Sequence, residues 1–171
     1  MTCTDKQPTC EDRIGASLAS TLDDLRTFET CAQHGVNERD DWMRLDTADR
    51  VELCQALDIS VFIARREEGP LWDIGEPNEY GLSFDYVAPD TFTDQDEGYF
   101  RYQLSWGGPS TEFRFYTNPD FSPHRIEYWF LDWWDGASRT LRGDDERVLS
   151  DWFEQMRDCG VVESGYIEAA E

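Results

Sequence analysis

The chain predicts an α+β fold, with an antiparallel sheet of about four strands over roughly 79–134, two helices before it and one after it. Three observations carry this reading. Apolar residues step by three and four up to about residue 57, alternate with a period of two between 80 and 133, and return to helical spacing from 144. With 171 residues, 39% hydrophobic and 14% aromatic, the chain is long enough for one core and short for two, so a single domain is expected. Its parts are an acidic helical stretch (1–78), a neutral sheet (79–137) and an acidic C-terminal helix and tail (138–171).

In the first helix Ile14, Leu18, Leu22, Leu25 and Phe28 form one stripe, and Gly35 ends it. A second helix is expected over 48–57, with Thr47 as N-cap and Val51, Cys54 and Leu57 facing inward. The apolar run 59–64 fits a strand or a continuation of that helix equally well. A turn-rich stretch, 69–78, follows. Tyr80, Leu82, Phe84 and Tyr86 then mark a first strand, and Phe100, Tyr102, Leu104 and Trp106 a second. Gly107-Gly108-Pro109-Ser110 reads as a hairpin turn. The third strand sets Phe113 and Phe115 against Glu112 and Arg114. The fourth, 125–133, is apolar on both faces and predicts cover on both. Trp129, Trp133, Trp134 and Trp152 accordingly read as core. The last helix carries Val148, Leu149, Trp152, Phe153 and Met156 on one face, has Asp144 or Asp145 as N-cap, and ends near Gly160.

Thirty-seven acids face 15 Lys and Arg, a formal net charge of -22. Such a chain is repelled by nucleic acid and by anionic membrane surfaces. Its aromatic content argues against disorder. The opening MTCTDKQPTCEDR lacks a basic segment followed by an apolar run, and no stretch reaches the roughly 18 apolar residues of a membrane span, so a cytoplasmic location is expected. The five cysteines, Cys3, Cys10, Cys31, Cys54 and Cys159, are odd in number and scattered, which fits reduced thiols. Cys3 and Cys10 would make half a metal site or a bridge, but no second pair follows.

The charge is uneven: -15 over residues 1–97, zero over 98–143 and -7 over 144–171. In the neutral part Arg101, Glu112, Arg114, Arg125 and Glu127 are suited to cross-strand pairing. Three explanations compete for the excess. Solubility alone needs a net charge of only about 2 to 8. Salt adaptation fits the single lysine, Lys6, and the excess of Asp over Glu, but predicts acid over the whole surface. The third is a partner with a cationic groove built for nucleic acid. Twenty-two charges match the phosphates of about 37 Å of duplex, at one charge per about 1.7 Å.

No catalytic constellation emerges, and neither an enzyme activity, a cofactor nor a metal is expected. His34 sits where an imidazolium favours a helix C-terminus, and His124 lies in a loop. Two histidines and dispersed thiols make no zinc site. Gly107-Gly108-Pro109-Ser110 lacks the Gly-Lys-Ser/Thr of a phosphate loop. Asp94, Asp96 and Glu97 lack the spacing of a calcium loop. Among 37 acids a glycosidase-like pair has no weight, so a carboxylate hydrolase stands only as an alternative of another class.

A small, very acidic α+β chain with one lysine and no catalytic set resembles the DNA-mimic antirestriction and anti-CRISPR proteins of phages and plasmids. In addition, YFRYQLSWGGPSTEFRFY (99–116) and IEYWFLDWWDGA (126–137) look like a segment of uncharacterised acidic proteins of mobile elements. The resemblance implies an inhibitor that fills the nucleic-acid groove of a defence complex, either a CRISPR surveillance complex or a restriction enzyme. An immunity or antitoxin protein with a single cognate nuclease is the nearer alternative. The residues expected to meet the partner are Asp23, Asp24, Asp40, Asp41, Glu67, Glu68, Asp94, Asp96, Glu97, Asp144, Asp145 and Glu146. A homodimer would lengthen such an acidic stripe.

Overall fold

Residues 7–169 are described by a computed structural model. Cys3 lies outside them, and with it the Cys3–Cys10 pair. The chain divides into two compact units, one formed by its beginning up to Ala19 together with the stretch from Gly81 onward, the other by Ser20–Tyr80. The first helix, α1 (Cys10–Gln33), contributes to both.

The larger unit is α+β and holds a five-stranded antiparallel meander in the order β1-β2-β3-β4-β5. Its strands are β1 (Ser83–Val87), β2 (Tyr99–Ser105), β3 (Ser110–Thr117), β4 (Pro123–Asp132) and β5 (Asp135–Thr140). The fifth strand adds to the four expected. It was hidden because its sequence, DGASRT, is small and polar and buries only Ala137. Strand bounds also differ at the ends. Leu82 precedes β1 and Trp106 follows β2, and both are exposed.

Period-two alternation gives the sheet one apolar face. Phe84 pairs with Tyr102, Tyr102 with Phe113 and Phe113 with Tyr128, while Tyr86, Phe100, Phe115 and Ile126 form the next row. The C-terminal helix, α5 in chain order (Asp144–Asp158), presses Phe153 into this face, its ring centroid 4.9 Å from Phe115 and 5.6 Å from Phe100. A further helix, α6 (Val161–Glu168), sets Tyr166 on Tyr86 at 4.9 Å where only a tail was expected. The first half of α1 completes the cover: Ser17 meets the Tyr128 hydroxyl at 2.8 Å, and Arg13 stacks over Phe130. Each buried aromatic ring contributes about 2–3 kcal/mol by leaving water. The cap of α5 is a correction, since Gly143 occupies the N-cap position and Asp144 is already the first helical residue.

The smaller unit contains the rest of α1, then α2 (Arg39–Arg44), α3 (Thr47–Ala56), a 3₁₀ turn (Val61–Arg65), α4 (Leu71–Ile74) and a second 3₁₀ turn (Pro77–Glu79). The 59–64 run therefore becomes neither strand nor helix extension. The stripe of α1 is buried at Leu22, Leu25 and Phe28. The helix stops at Gly35, whose φ of +76° suits a residue without a side chain, while the Val36 amide reaches back to the Cys31 carbonyl at 2.9 Å. Asp46, not Thr47, caps α3, accepting from the Ala48 and Asp49 amides at 2.7 and 2.9 Å. Trp42 is the centre of this core: its indole donates to the Arg66 carbonyl at 3.1 Å and Arg50 lies over its ring. Short α2 carried too few periodic residues to be visible in advance. Among the described residues no helix is long and apolar enough to cross a membrane.

Candidate functional site

The predicted acidic residues divide by what the fold does with them. Asp23, Asp40, Glu67, Glu68, Asp94 and Asp96 are exposed and have no partner for their carboxylates among the described residues. The others are engaged. Asp41 turns back to accept the amides of Asn37 and Glu38, each at 3.0 Å, and pairs with Arg44. Those amides hold its carboxyl below the usual range. Asp24 accepts the Tyr80 hydroxyl at 2.8 Å. Glu97 takes Arg125 at 2.7 Å and lies 3.2 Å from His124. Asp144, Asp145 and Glu146 form the first turn of α5, where carboxylates meet the positive end of the helix dipole, and Asp144 also binds Arg147.

Within the smaller unit the fold gathers several of these acids. Asp23, Asp24 and Glu68 line one hollow with Asp73, and Asp40 and Glu67 line another beside Trp42, Met43 and Trp72. Gly69, Pro70 and Trp72 border both hollows, so the two groups of acids are neighbours. In the larger unit Asp94 and Asp96 sit on the 88–98 loop. The Gln95 side chain ties that loop by donating to the Ala88 and Glu97 carbonyls. Among the described residues no three metal-ligating side chains converge. His34 Nδ1 lies 2.9 Å from the Thr30 carbonyl oxygen in the last turn of α1.

The second face of the sheet holds a site that sequence reasoning missed. Arg101 stands directly opposite Arg114 in register, and Gln103 opposite Glu112. The expected cross-strand pairing places Arg114 opposite Glu127 on β4, and among the strands Arg101 makes an ion pair with Asp85 of β1 at 3.1 Å. Glu112, 3% exposed, instead binds Arg114 two residues along its own strand, at 2.6 Å. The Arg114 guanidinium is held between rings, 3.8 Å from the Trp129 centroid and 4.7 Å from that of Tyr99. Arg125 repeats the motif over Tyr116 at 3.7 Å. Burial pushes the Tyr99 hydroxyl up, and the Tyr99 and Tyr116 rings adjoin at 5.6 Å.

Above this floor lies a cavity of about 590 Å³. Its walls come from the loop after β2, with Trp106, Gly107 and Gly108, from the turn after β4, with Trp133, and from Phe92 and Leu131. The loop and turn touch: a side chain at Gly108 would come within 2.9 Å of the Trp133 indole nitrogen. Trp133 and Trp134 are 86% and 98% exposed, so two of the four tryptophans assigned to the core are at the surface. They occupy the two-residue turn between Asp132 and Asp135, where Asn or Gly is the usual choice. The Trp129 side of β4 is likewise only half-buried, not covered as its apolar character suggested.

An α+β meander carrying a cavity of stacked guanidinium and aromatic groups, with unpaired acids elsewhere, defines the class of this protein in structural terms. No family model, no curated protein and no solved structure matches the chain.

Proposed function

We propose that this protein is an acidic decoy for nucleic acid, which fills the cationic groove of a CRISPR surveillance complex or a restriction enzyme and so blocks it. The observation that carries the reading is the set Asp23, Asp40, Glu67, Glu68, Asp94 and Asp96, exposed and without partners among the described residues, on a chain of net charge -22. Self-repulsion of that size costs stability, and a groove lined with Arg and Lys recovers it on binding. Arginine forks designed for phosphate accept carboxylates by the same geometry. The decoy acts where its target does, in the cytoplasm.

The test is capture on the immobilised protein from lysates carrying defined defence systems, followed by elution with duplex DNA and with salt. A retained nucleic-acid-binding complex that DNA displaces, and whose retention falls at least about tenfold between low and high salt, is the expected result. A variant with all six acids changed to Asn or Gln should retain its fold and lose capture. Equal capture by that variant, or retention indifferent to DNA, would overturn the reading.

A further inference from the structure

The cavity on the second face of the sheet has the features of a small-molecule site, and we propose that it takes a planar aromatic monoanion, a ring system bearing one carboxylate or an equivalent acceptor. Its volume, about 590 Å³, falls within the range of about 300–1,000 Å³ of ligand pockets. The walls are flat and apolar, with Trp106 and Trp133 exposed at 78% and 86% beside Phe92 and Leu131. Indoles standing free in water at the mouth of a cavity lose their contact with water when a ring slides between or beneath them.

The floor selects the sign of the charge. Among the described residues the hydroxyl of Tyr99, only 1% exposed, has no hydrogen-bond partner, and neither has the buried Nε of Arg101. Both groups line the cavity through their residues, and Arg101 Nε can only donate. A buried donor left unmade is costly, and a ligand acceptor toward which either side chain turns would recover that cost. Arg101 and Arg114 face each other across the β2–β3 ladder; each already holds one carboxylate, Asp85 at 3.1 Å and Glu112 at 2.6 Å, and an anion between them would take guanidinium N–H groups that these single contacts leave. The one carboxylate in the lining, Glu112, is already bound to Arg114, so a cationic ligand finds no free carboxylate there. A polyanion is turned away by the net charge of -22, whereas a single charge inside the cavity is governed by groups nearer than the Debye length of about 8 Å.

Backbone strain points the same way. Trp133 adopts a left-handed conformation at φ 52°, rare for a bulky residue. Such conformations are strained and cluster where the side chain they present is used.

Calorimetric titration of the full chain with 2-naphthoate, and with 2-naphthylmethylammonium and 2-naphthylmethanol as cationic and neutral counterparts, tests the site. Naphthoate should bind at least about tenfold more tightly than either counterpart. Tyr99→Phe, which removes only the hydroxyl, and Trp106→Ala, at an exposed position, should each weaken naphthoate about fivefold or more. Trp133→Gly relieves the strained φ and should weaken binding while leaving the thermal midpoint unchanged or higher. No binding of naphthoate at about millimolar concentration, equal binding of the ammonium compound, or binding that survives all three substitutions would each overturn the proposal.

Discussion

The two faces of the sheet are written by alternate residues of the same strands, yet they solve packing in different ways. On the covered face Phe84, Phe100 and Phe115 meet Phe153 of α5 and Phe113 meets Phe115, so ring packs on ring without a charge among them. On the second face Arg114 and Arg125 lie over Trp129, Tyr99 and Tyr116, and carboxylates of Glu112 and Glu127 hold the guanidinium groups. Around Phe153 the first face is stabilised by apolar area, so it tolerates other fillings of the right volume. The second depends on pairs, so removing one member exposes the other.

The largest effect should therefore come from Phe153→Ala, which opens a void against three phenyl rings. A loss of about 3–5 kcal/mol is expected from chemical denaturation, with the cooperative transition retained if any stability is left. Arg114→Gln comes next. It strands Glu112, whose side chain is 4% exposed, and should cost about 3 kcal/mol. The double variant Arg114→Met with Glu112→Leu sharpens the comparison, because apolar replacement of both partners should recover most of that loss. Recovery would set the second face apart from the first, where paired truncations should cost more than either alone. If the double variant is no better than the single, the pairing account is broken.

The acids outside the sheet should behave unlike both faces. Neutralising Asp23, Asp40, Glu67, Glu68, Asp94 and Asp96 one at a time should shift stability by no more than about 0.5 kcal/mol each. The smallest effect belongs to Asp41→Asn. Because the amides of Asn37 and Glu38 lower the folded-state pKa of Asp41, its contribution is present above about pH 4 and is lost as pH falls through the folded value. The stability gap between the natural chain and Asp41→Asn should narrow as pH falls below about 4, as read by urea midpoints at each pH.

Much of this was legible in advance for one physical reason: burial imposes a period. The stripe of α1 with its Gly35 stop, the alternation through Phe100, Tyr102, Phe113 and Phe115, and the apolar face of α5 all record which side of an element meets the core. Elements that bury little left no record. β5 buries Ala137, α2 buries Trp42 and α6 buries Val162, one residue each. The exposed acids at 67 and 68 and at 94 and 96 were readable because charge seeks water. Asp41 and Glu97 were not, since their partners are set by local turns and by strand neighbours. The cavity was the least legible part. Alternating signs along β2 and β3 suggested cross-strand ion pairs, and only the register shows Arg101 facing Arg114. Trp133 looked like core because hydrophobicity is blind to a reversal of chain direction at that residue.

The larger unit is discontinuous in sequence, and this bears on how it is made. The first half of α1 finds its partners late in the chain: Cys10 donates its amide to Asp135, Glu11 binds Arg139, and Ser17 meets Tyr128, at separations of 125, 128 and 111 residues. At a synthesis rate of about 5–20 residues per second, the ribosome delivers β5 roughly 6–25 seconds after the residues it must receive. Until β1 to β4 emerge in the later part of that interval, the helix that will close the sheet is already translated, and its apolar side has nothing from the sheet to rest against.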